Sequence, residues 1–203
     1  MKKVLIANLT LLSLLLFCEE SFAITGEEAL ARFRGRMGSI GKLTGIISWS
    51  HSSGETYTGA FKYMSPGKIY VKFSSPPGKV IVSNGRSLWI YSSGSNICGI
   101  QDLAGGGSGG IAALTSGYFA IVTAQGPGGY TIKLKNNDNN FSEIVLMVDS
   151  SFFLRKAILK AKDGGTYNFS ISNVSASAAV IPSIFDFNVP SSALVVKNPL
   201  NIK

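Results

Sequence analysis

Turn signals recur along this chain too quickly for long helices to fit between them. Ser53-Gly54, Pro66-Gly67, Pro77-Gly78, Asn84-Gly85 and Ser93-Gly94 set their glycines 13, 11, 7 and 9 residues apart, the spacing of an antiparallel meander. Between these turns the side chains alternate. Phe61 and Tyr63 flank Lys62, and Ile69, Val71 and Phe73 alternate with Tyr70 and Lys72. Alternate residues of a strand point to opposite faces, so one face of this sheet is apolar and the other wetter. Leu88-Trp89-Ile90-Tyr91 is apolar on both faces, which requires a second covering layer there. The chain is 45% hydrophobic and only 15% charged, which excludes a disordered polypeptide.

One helix precedes the strands. Thr25-Gly26-Glu27-Glu28 reads as a capping box, with Thr25 accepting from the backbone three residues on and Glu28 reaching back. Leu30, Phe33, Met37 and Ile40 follow at helical spacing, and Gly38 and Gly41 supply stops, which predicts a helix over about residues 26–37. Arg32 and Arg36 share a different face, read as solvated. A run of glycines and one serine spans residues 105–110, a hinge or loop composition. Its fit to G-x-G-x-x-G is one that any glycine run would give, and it lacks a βαβ setting. Residues 111–124 read as one or two short helices interrupted by Gly117. Strands then resume around Tyr130–Leu134, Ile144–Val148, Leu154–Ala161, Tyr167–Ile171 and Phe185–Val189, with turns at 136–140 and Asp163-Gly164-Gly165.

The fold class expected is mainly β with an α lid: a curved antiparallel sheet of about ten or eleven strands, covered by short helices. Such a half-barrel either encloses an apolar cavity or fills it with its own side chains. The start of the chain reads as an address. Met1-Lys2-Lys3, the apolar run Val4–Phe17 and Ser21-Phe22-Ala23 fit a signal peptide of residues 1–23, leaving a single domain over 24–203 with no transmembrane helix. Cleavage removes two lysines and two glutamates, so the net charge stays at +8. A competing reading makes Leu15-Leu16-Phe17-Cys18 a loose lipobox that would anchor the chain through Cys18. After cleavage at Ala23 only Cys98 remains, and it can close no internal disulfide.

Three segments carry a resemblance. Residues 59–68, GAFKYMSPGK, look like the strand and turn of the periplasmic lipoprotein carriers, the LolA family. Residues 80–91, VIVSNGRSLWIY, are similar to that family's hallmark hairpin, and residues 181–190, IPSIFDFNVP, resemble its last strand. The resemblance implies an incomplete antiparallel β-barrel with a helical lid. It also implies a monomeric periplasmic chaperone that takes acylated lipoproteins from an inner-membrane ABC transporter. Cargo then passes to an outer-membrane receptor or membrane surface, with no enzymatic step. Alternatives are a lipid-anchored receptor of the same fold, if Cys18 is acylated, and a carrier of another amphiphile such as a glycolipid.

On this reading the acyl-chain cavity is lined by Phe61, Tyr63, Ile69, Val71, Phe73, Ile81 and Trp89, with Ile111, Leu114 and Phe119 from the lid. Gly105, Gly107 and Gly110 give hinge freedom. The family's arginine before the Pro66 position, which contacts the lid, is Ser65 here. That leaves the contact weaker, absent, or supplied from elsewhere, with Lys62 and Lys68 within reach. The family's hairpin aspartate is Asn84, which suits a tight turn equally well.

Catalytic equipment is sparse. His51 is the one histidine, beside two serines and no acid, short of a triad. One histidine and two cysteines leave almost no ligands for a zinc site. No cofactor or metal is expected. The basic residues are dispersed without a run of five, so nucleic acid is not the expected partner, and the positive charge is read as attraction to anionic membrane surfaces or acidic partners.

Overall fold

The computed structural model describes residues 23–103, 114–136 and 140–198. Helix α1 (Gly26–Gly38) precedes β1 (Lys42–His51), β2 (Thr56–Met64), β3 (Lys68–Ser75), β4 (Pro77–Asn84), β5 (Ser87–Ser92) and β6 (Ile97–Asp102). The chain resumes with β7 (Phe119–Gly126), β8 (Gly129–Lys135), β9 (Phe141–Val148), β10 (Leu154–Ala161) and β11 (Thr166–Ser175). A 3-10 turn at Pro182–Phe185 leads to β12 (Leu194–Lys197). The expected fold class is the one observed: a mainly β, curved, open sheet with one described helix laid against it. Its twelve strands run in the order β12-β6-β5-β4-β3-β2-β1-β11-β10-β9-β8-β7. The two strand blocks of the sequence join where β1 pairs with β11, Trp49 opposite Phe169. Every neighbouring pair is antiparallel except β12 with β6.

Thr25 caps α1, its hydroxyl accepting from the Glu28 amide at 3.2 Å. The other half of the expected box is absent, because Glu28 turns outward to pair with Arg32 at 2.5 Å. Ala29, Leu30 and Phe33 are buried against β7–β10. Arg32 and Arg36 are not simply solvated: their guanidinium groups lie 5.6 and 5.8 Å from the rings of Phe152 and Phe153. Those two phenylalanines sit in the β9–β10 connection, and each enters a different apolar cluster. Phe152 takes a left-handed backbone, φ 60°, which a bulky residue adopts only when its surroundings hold it there. Asp149 does the holding, accepting from the amides of Ser151 and Phe153 and from the Ser151 hydroxyl and Arg155.

Three sequence expectations need correction. Residues 119–124 belong to β7 rather than a helix. Ala120 faces inward and Ile121 outward, so both faces carry apolar groups and the period of two is hidden. The segment 185–189 is not a strand. Pro182 starts a 3-10 turn that packs on β3 and β4, and Phe187 meets Tyr91 at 5.9 Å. The return thus covers β3 and β4 through the turn, in which Phe185 is fully buried, and reaches the two-faced apolar strand β5 through Phe187. Finally, β12 has no counterpart among the expected strands. It shields the edge of β6, Val195 pairing with Cys98, whose thiol burial pushes up in pKa.

Candidate functional site

Register defines two faces. Gly45, Phe61, Val71, Ile81 and Ile90 lie opposite one another across β1–β5 and share the inner face. The next row holds Leu43, Tyr63, Ile69, Ser83 and Leu88. Glycine at position 45 makes room for the Phe61 ring, which a Cβ there would meet at 2.8 Å. Six of the sequence-predicted lining residues therefore stand together: Phe61, Tyr63, Ile69, Val71, Phe73 and Ile81. Phe61, Val71 and Phe73 are buried, whereas Tyr63, Ile69 and Ile81 are half-buried at the margin of the same cluster.

Trp89 does not join them. It pairs with Val82, which is itself opposite Tyr70, so it faces the outer layer beneath the 176–190 return. Phe119 is 65% exposed and opposes Lys135 at the start of β7, and Leu114 is 44% exposed. Ile111, Gly105, Gly107 and Gly110 lie outside the described residues. Sequence reading missed several contributors. Ile47 and Trp49 of β1, Tyr57 of β2, Ile171 of β11 and Phe153 of the β9–β10 connection all border the same cluster. Alternation of Leu43, Gly45, Ile47 and Trp49 signals the first two in the sequence; nothing local signals Phe153.

The helix covers this face unevenly. It packs on β7 and β8, and its Met37 packs against both apolar clusters. The inner face of β1–β5 is left with a band of half-buried apolar side chains, among them Ile47, Trp49, Tyr57, Ile69, Ile81 and Ile90. At the end of the sheet away from the α1 C-terminus this band is aromatic. Trp49 stacks on Tyr57 at 4.5 Å, Tyr57 meets Phe73 edge-on at 5.5 Å, and Lys79 donates to the Tyr57 hydroxyl at 2.6 Å. Polar groups on the face are satisfied: Ser83 donates to the Gly67 carbonyl and accepts from the Gly85 amide.

Among the described residues neither Lys62 nor Lys68 forms an ion pair with a carboxylate. Arg34 of α1 holds the chain just beyond the glycine-rich insert. It donates to the Thr115 hydroxyl at 2.9 Å and to the Thr115 carbonyl at 2.6 Å. His51 bonds Ser53 across its own hairpin at 2.7 Å. No group of three or more His, Cys, Asp or Glu able to hold a metal ion occurs among the described residues, and no described helix is long and apolar enough to cross a membrane. The chemistry on offer is a large apolar surface with a cationic fringe.

Comparisons agree with that picture. An outer-membrane lipoprotein carrier protein of Legionella pneumophila (strain Lens) is 23% identical over 203 residues, covering 94% of this chain and 98% of the relative. The one from Shewanella halifaxensis (strain HAW-EB4) is 26% identical over 148 residues, 67% of each chain. A crystal structure of an uncharacterised conserved protein from Thermus thermophilus superposes with a TM-score of 0.58 at 14% identity, over 84% of this chain and 98% of that one, a likeness of fold. Residues 48–188, more than half of the chain, match the family model described as "Outer membrane lipoprotein carrier protein LolA". This chain belongs to the LolA family.

Proposed function

We propose that the protein is a periplasmic carrier that shelters the acyl chains of lipoproteins. On this reading it takes them from an inner-membrane ABC transporter and delivers them to an outer-membrane receptor or membrane surface. The observation that carries the reading is the half-covered apolar inner face of β1–β5, continuous with the cluster that α1 only partly roofs. Burying a methylene contributes about 0.8 kcal/mol, so an acyl chain of about fifteen buried methylenes costs roughly 12 kcal/mol to expose to water. A carrier offsets that cost without covalent chemistry, and nothing at the site asks for an enzymatic step. The protein acts as a monomer formed from residues 24–203 after loss of a signal peptide.

The Arg34–Thr115 tie joins α1 to the chain that follows the glycine-rich insert. In the proposed cycle α1 and that insert, with Gly105, Gly107 and Gly110 as hinges, move apart as acyl chains enter. Phe61, Tyr63, Ile69, Val71, Phe73 and Ile81 line the chains' path, with Ile111 on the cover.

The test is titration of the purified protein with a triacylated lipopeptide, read by calorimetry and by tryptophan emission in a Trp89→Phe background that leaves Trp49 as the reporter. Saturable binding, weakened at least tenfold by Ile81→Asp, is expected. Failure of the native protein to bind the lipopeptide while it binds a glycolipid would move the reading to another amphiphile. Mass spectrometry showing an acylated Cys18 on the exported protein would make it an anchored receptor.

A further inference from the structure

Where α1 ends and β1 begins, a cleft of about 290 Å3 opens to the surface. That volume sits near the lower limit of small-molecule sites, roughly 300–1,000 Å3, and suits a lipid headgroup better than a whole lipid. Ile40, Leu43 and Phe153 form its floor. All three are buried members of the apolar cluster that includes Phe61 and Val71, so the floor leads directly onto the inner face. Arg36 and Lys42 stand at the walls. Among the described residues neither pairs with a carboxylate, in contrast to Arg32, Lys133, Arg155 and Lys160, which all do.

The surroundings explain why these two cations stay available. The acid of the β9–β10 connection that supplies Phe153 is Asp149, and its oxygens are taken by Ser151, Phe153 and Arg155. The Ser39 hydroxyl donates to the Arg36 carbonyl, filling part of the helix end. Carbonyls at a helix C-terminus disfavour an anion, and Arg36 in the last turn offsets that field. Arg155 brings a second guanidinium to the Phe153 ring, 4.9 Å from the ring that also lies under Arg36. The floor is thus apolar and the rim cationic, matching the two ends of one amphiphile.

We propose that this cleft binds the net-anionic headgroup of an acyl lipid whose chain continues onto the inner face of β1–β4. The proposal rests on the carrier reading and adds to it a charge preference in what is carried. Two cations acting on one anionic group through charge-assisted hydrogen bonds predict about a tenfold preference for an anionic over a zwitterionic headgroup on the same chain.

The experiment uses palmitoyl lysophosphatidylglycerol and palmitoyl lysophosphatidylcholine below their micelle concentrations, titrated by calorimetry into the purified protein. The anionic lipid is expected to bind about tenfold more tightly. In Arg36→Gln/Lys42→Gln the preference should fall to near unity, the anionic lipid losing the larger share of its affinity. Arg36→Lys/Lys42→Arg should keep it, which separates charge from packing on Phe153. Inorganic phosphate at constant ionic strength is expected to leave both affinities unchanged; if it abolished the preference, the cleft would be a site for a free anion and the proposal would fall. Equal affinity for the two lipids in the native protein overturns the cleft proposal and leaves the carrier reading standing. Binding of neither lipid overturns the cleft proposal, and the carrier reading falls with it only if the triacylated lipopeptide also fails to bind.

Discussion

Asp149 shows how much one side chain organises. Burial acts to raise its carboxyl pKa, but hydrogen bonds from Ser151, the Phe153 amide and Arg155 outweigh that and hold it below the usual aspartate range. A depressed carboxyl contributes stability above its unfolded value of about 3.9, and that contribution is lost as pH falls through the lower folded value. Asp149→Asn should lower stability by about 1–3 kcal/mol at neutral pH. Its denaturant midpoint should also fall less than the native one between about pH 5 and pH 1. Parallel slopes for the two proteins would show that the carboxylate does not set the turn. Residue identity alone gave six of the seven strand residues expected on the inner face, helped by the alternation around Val71, although Ile81 lies between Val80 and Val82 where alternation gives no face. Trp89 went to the wrong side because β5 is apolar on both faces, and one step of register there reverses every assignment. Glu143 is a contrasting site. The Lys160 hydrogen bond is the main reason its pKa is lowered, with Lys133 adding to it against the effect of burial. Both lysines are substantially exposed, so Glu143→Gln should cost under about 1 kcal/mol in a melt.

At the scale of elements, α1 is the part that sequence rules describe best and least completely. Its cap, spacing and stop were legible, but not where it docks. Gly26 sits directly on the Ala120 carbonyl of β7, where a Cβ would overlap the backbone, and Glu27 accepts from the Ala120 amide at 3.3 Å. The start of the helix therefore covers part of an exposed sheet edge, a liability in open sheets. Gly26→Ala should destabilise by about 1–3 kcal/mol, although alanine ordinarily favours a helix. A rise in melting temperature would refute the close packing. Strand β12 escaped notice because four exposed residues, Leu194–Lys197, carry no alternation; its meaning is its place beside β6, a long-range pairing that no local pattern encodes. Removing the chain from Leu194 onward should leave the outer edge of β6 unpaired and raise self-association at micromolar concentration, measured by light scattering.

At the scale of the molecule, stability and cargo are linked. A ligand that binds only the folded state at about a hundred times its dissociation constant adds about 2.7 kcal/mol. For a chain of this size a bound lipopeptide should therefore raise the melting temperature by about 5–10 °C. An unmoved transition at saturation would count against burial of acyl chains inside. The curved sheet was legible from turn spacing and alternation, and the need for a layer over β5 from its two apolar faces. Which segment supplies that layer was not, since Phe187 reaches Tyr91 of β5 only through tertiary packing.

The sheet begins at β12 and ends at β7 without the two ever pairing. A sealed barrel has its circumference fixed by strand number and shear. Here the two margins can draw apart or together while every rung of the ladder survives, so girth is a soft coordinate. On the proposed carrier reading, such a container would swell to the bulk of its contents and slacken as they leave, with no bond within the sheet broken on emptying.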